Sequence, residues 1–198
     1  MFETIPLFPL NAVLFPSGRM SLRIFEPRYL DLVSSCLKSD SGFGLVHLQQ
    51  GAEVNTVSST VETRFEKTGT YAKIIDFDDL GDGKLSTTIE GKSKFRITSS
   101  WQEKNGLYKA EIDWVEEEEA VPLLENFSEL TLLLNQLMQH QQLRQLKFED
   151  EANDVSQLSF LLSQYLPIDS STQYKYLLLE DPVERIDLIL DFLEDVSQ

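Results

Sequence analysis

Two different hydrophobic patterns divide this chain. Up to residue 115, short apolar runs alternate with polar residues and are separated by glycine-containing turns, a pattern typical of β-strands joined by hairpins. After residue 116, apolar residues recur every three or four positions, which indicates amphipathic helices. All nine glycines precede residue 107, so the composition changes where the pattern changes. The chain is therefore predicted to have a strand-rich part followed by a helical part.

The first part contains one predicted helix among several predicted strands. The helix runs from Pro27 to Lys38, with proline in its first turn. The predicted strands are Met20–Phe25, Phe43–Leu48, Thr70–Phe77, Lys84–Glu90, Lys94–Trp101 and Leu107–Val115. Turn-forming residues join the last four strands as two hairpins, which predicts a small antiparallel sheet or barrel. Residues 49–66 are rich in Ser, Thr and Glu and give no clear assignment.

Prolines mark the N-terminal segment as a special case. Ile5–Pro16 contains Pro6, Pro9 and Pro16, and proline cannot donate a hydrogen bond to a neighbouring strand. We therefore expect this segment at a sheet edge or in irregular chain.

Capping signals locate the helices of the second part. A long helical segment is predicted from near Pro122 to about Gln145. Asp154 and Ser170 are predicted N-caps, each with glutamine three residues later. Asp181 followed by Pro182 gives the clearest helix start. Short helices need packing partners, so the predicted fold class is α+β, a β-barrel or sheet followed by a small helical bundle.

Charge is distributed unevenly between the two parts. The chain has 33 acidic and 17 basic residues, a net charge of −16. Residues 1–115 hold 15 acids and 13 bases, whereas residues 116–198 hold 18 acids and 4 bases. This balance argues against nucleic acid as a partner, and no apolar run reaches the roughly 18 residues of a membrane span. With a single cysteine and no signal-peptide pattern, we expect a cytoplasmic protein.

No known catalytic, cofactor or metal motif is present. The glycines do not form a phosphate-binding loop or a dinucleotide fingerprint. The aspartates at positions 76, 78, 79 and 82 do not fit the spacing of a calcium loop and are typical of a hairpin turn. Cys36, His47 and His140 do not form a recognisable nucleophilic or zinc-binding set. We therefore expect no catalytic residue, no cofactor and no metal.

Basic and aromatic residues lie close together in the first part. Arg19, Arg23 and Arg28 surround Phe25 and Tyr29, an arrangement that RNA-binding surfaces also use. Nearby acids favour ion pairs within the protein instead.

Several motifs resemble one known family, the N-terminal (substrate-binding) domain of Lon protease. The matching segments are Ile5–Leu10, Leu14–Pro16, Leu22–Tyr29, Gly69–Ile74 and Glu90–Ile97. They occur in the family's order and at roughly its spacing. The resemblance covers residues 4–115 clearly, and the helical part fits more loosely.

The resemblance implies a PUA-like β-domain and a helical subdomain, which we place at residues 1–117 and 118–198. It implies a non-catalytic module that recognises protein substrates, present here without the family's AAA+ motor and peptidase domains. Candidate residues for binding unfolded or exposed apolar polypeptide are Phe8, Phe15, Phe25 and Tyr29. Two alternatives stay open: an RNA-binding PUA-like protein, and an adaptor that docks through its acidic helical part.

Overall fold

A six-stranded β-sheet forms the first part of the chain. The computed structural model describes residues 3–50, 63–148 and 152–196. The strands are β1 (Glu3–Leu10), β2 (Arg19–Ile24), β3 (Phe43–Gln50), β4 (Arg64–Gly81), β5 (Lys84–Gln102) and β6 (Tyr108–Trp114). Helix α1 (Pro27–Ser39) connects β2 to β3 and packs its apolar face on the sheet. Together with the helices that follow, these strands confirm the predicted α+β class.

The sheet curls into a partly closed barrel. The strand order is β2-β5-β4-β3-β1-β6, and β5 also pairs with β6, so that one end of the barrel is closed. An antiparallel sheet was predicted, and the pairings agree except that β1 and β3 run parallel. The parallel pair arises because β2 and α1 together form the crossover between β1 and β3.

The N-terminal prolines lie within the sheet, contrary to the prediction of an edge or irregular segment. Strand β1 pairs with β6 over Glu3–Leu7 and with β3 over Leu7–Leu10, so only Leu7 has partners on both sides. Pro6 and Pro9 each occupy a stretch that is paired on one side. The prediction was wrong about the position of the strand, but each proline still lies where one edge is locally free.

Strands β4 and β5, which form a long hairpin, are more continuous than predicted. The predicted strands Lys84–Glu90 and Lys94–Trp101 form a single strand, β5. A glycine permits this, because a Cβ on Gly91 would lie 2.1 Å from the carbonyl oxygen of Phe15, which crosses over it. Of the unassigned segment 49–66, residues 51–62 lie outside the described residues.

The helices begin after an extended stretch that follows β6. They are α2 (Ser128–Met138), α3 (Gln141–Arg144), α4 (Val155–Tyr165), α5 (Ser170–Leu178) and α6 (Pro182–Val196), with a short 3-10 turn at Glu125–Phe127. The single long helix predicted from Pro122 is therefore divided, and the extended backbone of His140 separates α2 from α3.

Aspartates cap the last three helices. Asp154 accepts a hydrogen bond from the N–H of Gln157 at 2.8 Å, as predicted. Asp169, not the predicted Ser170, caps α5 by accepting from the N–H of Thr172 at 3.0 Å. A carboxylate next to a hydroxyl is an equally good cap, and the sequence pattern did not distinguish the two.

The loop between β1 and β2 enters the core of the helical part. Val13 and Phe15 are buried among helical residues, and the rings of Phe15 and Phe160 lie 6.0 Å apart. The side-chain amide of Gln164 accepts from the N–H of Phe15 at 2.8 Å and donates to the carbonyl of Val13 at 3.1 Å. Residues that precede the proposed domain boundary at 117 therefore form part of the hydrophobic core of the helical part.

A buried carboxylate joins the two parts. Glu118 accepts from the ammonium of Lys94 at 2.9 Å and from the guanidinium of Arg185, whose Nη1 lies 3.1 Å from its Oε2. The carbonyl of Leu179 accepts from both cations. Arg185 also lies over the ring of Phe160, 4.1 Å from its centre. Burial lowers the pKa of Lys94, and the hydrogen bond and charge of Glu118 oppose that change.

A second interaction holds the start of β2. The guanidinium of Arg19 donates to Glu90 at 2.7 Å and to the carbonyl of Leu146 at 3.1 Å. Burial raises the pKa of Glu90, but the hydrogen bonds and charges of Lys92 and Arg19 outweigh burial, so the net pKa lies below its ordinary value. The hydroxyl of Tyr165 bonds the backbone of Arg19, and burial raises its pKa, so it stays protonated.

Removing the shared carboxylate is expected to be strongly destabilising. We predict that Glu118→Ala lowers the free energy of unfolding by about 3–5 kcal/mol, because it leaves two buried cations unpaired. Denaturant unfolding measures this. Glu117→Ala, in the same acidic run but exposed, is the matched control and should change the value little. Equal effects of the two substitutions would contradict the assigned role of Glu118.

The Arg19–Glu90 pair should stabilise the fold in a pH-dependent way. A carboxyl whose pKa is lowered by folding stabilises the folded state above the unfolded pKa, here near 4.5, and loses that effect as pH falls through the folded value. We expect Glu90→Gln to lower the melting temperature at neutral pH and to have a progressively smaller effect as pH falls below about 4.5. A difference between the two proteins that stays constant with pH would contradict this.

Candidate functional site

An apolar groove of about 480 Å³ lies between the end of β1 and strand β2. We name it the β1–β2 groove, and it is lined mainly by Phe8, Leu10, Met20, Leu22, Phe25 and Tyr29. The pairing of the strands produces it. Residues 8–10 of β1 extend beyond the part that pairs with β6, and among the described residues β2 pairs only with β5. The barrel is therefore open between β1 and β2.

Stacked aromatic rings form the floor of the groove. The rings of Phe8 and Tyr29 stack with centres 4.1 Å apart, and the ring centre of Phe43 lies 5.8 Å from that of Phe8. The guanidinium of Arg28 covers the ring of Tyr29 at 4.4 Å. Arg28 is in turn fixed by Glu26 at 3.0 Å and by the carbonyl of Gly106 at 2.8 Å. These contacts hold the floor rigidly, which favours binding without a large ordering cost.

Phe25 forms the exposed rim of the groove. It follows β2 directly, and 49% of its surface is exposed, whereas Phe8 and Tyr29 are 7% and 4% exposed. An exposed phenylalanine beside an apolar groove is a feature of binding surfaces. Three of the four residues predicted for polypeptide binding thus line one groove. Phe15 does not, because it is buried in the helical core.

Two groove residues were not identified from the sequence. Leu10 and Met20 line the groove and are half-buried. Met20 shares the apolar alternation of β2 with Leu22 and Ile24, so the pattern alone does not distinguish it from a core position. Only the opening of the barrel shows that one side of this apolar row faces solvent.

Several basic residues of the first part are paired within the protein. Arg28 bonds Glu26, Lys92 bonds Glu90, and Arg19 bonds Glu90 as well. This confirms the expected pairing within the protein for Arg28 and for Lys92. Arg23 differs, since it is exposed and forms no ion pair within the described parts of the chain.

A second cleft of about 470 Å³ lies between β5 and α4. It is lined by charged residues, including Lys92 and Lys94, whose ammonium groups already bond Glu90 and Glu118. Because these charges satisfy one another, the cleft presents no unpaired cation to a ligand. The β1–β2 groove is therefore the better candidate site.

The nucleophile and metal candidates are not assembled into a site. Cys36 is buried, and burial raises the pKa of its thiol, which disfavours the reactive thiolate. His47 stacks on Tyr174, with ring centres 5.8 Å apart. Over the residues that the structure describes, no three His, Cys, Asp or Glu side chains are placed to hold a metal ion. Within the same residues, no helix has both the length and the apolar character to span a membrane.

Comparison with known proteins identifies close structural and sequence relatives. The chain is 28% identical over 116 residues to Lon protease 2 of Myxococcus xanthus, covering 58% of this chain and 13% of that protein. It is 26% identical over 204 residues to the Lon protease of Cytophaga hutchinsonii, covering 97% of this chain and 24% of that protein. The chain thus spans a quarter or less of these curated relatives.

Solved structures match over nearly the whole chain. A Lon N-terminal domain protein from Xanthomonas campestris superposes with a TM-score of 0.71 and 28% identity, covering 96% of this chain and 98% of that one. The N-terminal domain of Mycobacterium avium complex Lon protease, at 14% identity and a TM-score of 0.63, shares the fold and covers 98% and 99%.

The family match extends through both parts of the chain. The model of the ATP-dependent protease La (LON) substrate-binding domain matches residues 4–195, which includes the helices that the motifs alone fitted loosely. With the shared fold, this shows that the chain belongs to the LON substrate-binding domain family.

Proposed function

We propose that this chain is a non-catalytic recognition module that binds unfolded or exposed apolar polypeptide segments in the β1–β2 groove. The observation that carries the proposal is the half-exposed ring of Phe25 beside the rigid floor of Phe8 and Tyr29. Membership of a substrate-binding domain family supports a role in recognising protein substrates.

The chemistry of the groove supports a polypeptide ligand. Its lining is mostly aliphatic and aromatic, and the half-exposed ring of Phe25 lies at its edge. Burying apolar side chains there gains about 25 cal/mol per Å² removed from water, without requiring a particular sequence. Such a surface suits apolar side chains that are exposed when a protein loses its fold.

The proposal concerns binding and not catalysis. The groove holds no histidine or cysteine and no pair of carboxylates, so its described lining offers no nucleophile with an adjacent base. In this proposal the chain supplies selection of a polypeptide, and any processing of that polypeptide takes place on other protein segments.

Replacing the rim phenylalanine tests the proposed site. We expect Phe25→Ser to weaken binding of reduced, carboxymethylated lactalbumin by roughly tenfold, since one aromatic side chain contributes about 1.5–3 kcal/mol when buried. Fluorescence anisotropy of the labelled, permanently unfolded protein gives the affinity.

Phe77→Ser is the matched control for this experiment. Phe77 is 53% exposed, close to the exposure of Phe25, but it lies near the tip of the β4–β5 hairpin and does not line the groove. We expect this variant to bind like the unmodified protein. If both variants bound equally well, or if the unmodified protein did not bind, the proposed function would be wrong.

A further inference from the structure

The backbone of β2 has an edge that faces the groove. The N–H of Arg19 donates to the hydroxyl of Tyr165 at 2.7 Å, and the carbonyl of Arg19 accepts from the same hydroxyl at 3.0 Å. The N–H of Gly91 donates to the carbonyl of Gly18 at 2.8 Å, as expected beside a non-hydrogen-bonded antiparallel pair. Arg19 and Glu90 form that pair, so the backbone groups of Arg19 point away from β5.

The same orientation repeats along β2. In an antiparallel ladder the direction of the N–H and C=O groups alternates with every residue, and the β2–β5 register has no shift. Ser21 and Arg23 therefore also direct their N–H and C=O groups away from β5. In the described ranges, no hydrogen bond to these groups is present on that side.

The free edge and the apolar groove coincide. Five consecutive β2 residues, Met20 to Ile24, line the groove, although their side chains alternate between the two faces of the sheet. The groove contacts β2 side chains on both faces of the sheet. It must therefore run along the backbone edge of β2, which lies between the two faces. The opening therefore offers apolar contacts together with unpaired backbone donors and acceptors, which is the combination used in strand addition.

Charge indicates what an added strand would carry. Arg23 is exposed on the outer face of β2, and its guanidinium has no carboxylate partner within the described residues, while the nearby Glu26 is held by Arg28. In an added strand, alternate side chains would point toward the aromatic floor and toward Arg23. The complementary segment has apolar residues on one face and an acidic residue on the other.

We propose that the ligand binds as an added β-strand on the outer edge of β2, in extended form, with alternating apolar residues and an acidic side chain opposite Arg23. This inference rests on the proposed function and adds to it a binding mode and a sequence preference. The backbone of Ser21 and Arg23 supplies the ladder, and the β1–β2 groove accepts the apolar face.

A proline substitution tests the backbone contact. Ser21→Pro removes the N–H that faces the edge and keeps the bonds between β2 and β5, so the fold should tolerate it. We expect binding of an extended peptide of alternating valine and threonine, with one central aspartate, to weaken roughly five- to tenfold. Ser21→Ala, which removes the hydroxyl and keeps the N–H, is the matched control and should bind normally.

Melting curves and peptide chemistry make the result decisive. If Ser21→Pro lowers the melting temperature strongly, the same peptide with one backbone amide N-methylated is tested on the unmodified protein. In an added strand, every second backbone amide points toward β2 and the others point away. Methylating an amide that points toward β2 should abolish binding, and methylating one that points away should not. Equal effects of methylation at the two kinds of amide would overturn the inference.

A charge exchange tests the sequence preference. Arg23→Glu should weaken binding of the aspartate peptide and strengthen binding of a peptide with lysine at the same position. The unmodified protein should bind the aspartate peptide more tightly than the lysine peptide. If Ser21→Pro and Arg23→Glu bound normally while Phe25→Ser did not, strand addition would be wrong and the proposed function would stand. If none of these variants lost binding, both would be wrong.

Discussion

The incomplete pairing of β1 is the constraint on which the rest of the structure depends. Its two prolines withhold N–H groups, and its partners cover different halves, so only Leu7 is paired on both sides. The end of β1 consequently does not join β2, and the barrel stays open at that position. The aromatic floor, the exposed Phe25 and the free edge of β2 all follow from this opening.

The open barrel needs support from outside the sheet, and the helices supply it. The loop after β1 inserts Val13 and Phe15 into the helical core, and the side chain of Gln164 bonds the backbone of both residues. Glu118 neutralises one cation from β5 and one from α6. The helical part therefore holds the segment that leads into β2 at Val13 and Phe15, and Tyr165 holds the start of β2 at Arg19.

Periodicity and motif order predicted the fold class, most strands, the first helix and the caps at Asp154 and Asp181. They did not predict the parallel β1–β3 pair or the position of Glu118, because these depend on contacts between distant residues that leave no local pattern. The aromatic residues of the groove were selected from the motifs, but Phe15 belongs to the core. A phenylalanine in an apolar run looks the same in the sequence whether it is buried or exposed, and only the three-dimensional neighbours decide between them.

The hydroxyl of Tyr165 has a consequence for self-association. By bonding both backbone groups of Arg19, it shortens the open edge of β2 to two outward-facing residues, one of which carries a positive charge. Long, uncharged edges join copies of a protein into aggregates, whereas a short charged edge forms only brief ladders. Two copies brought edge to edge would bring a second arginine into the same short ladder, so the same residues that admit a foreign strand discourage polymerisation of the protein itself.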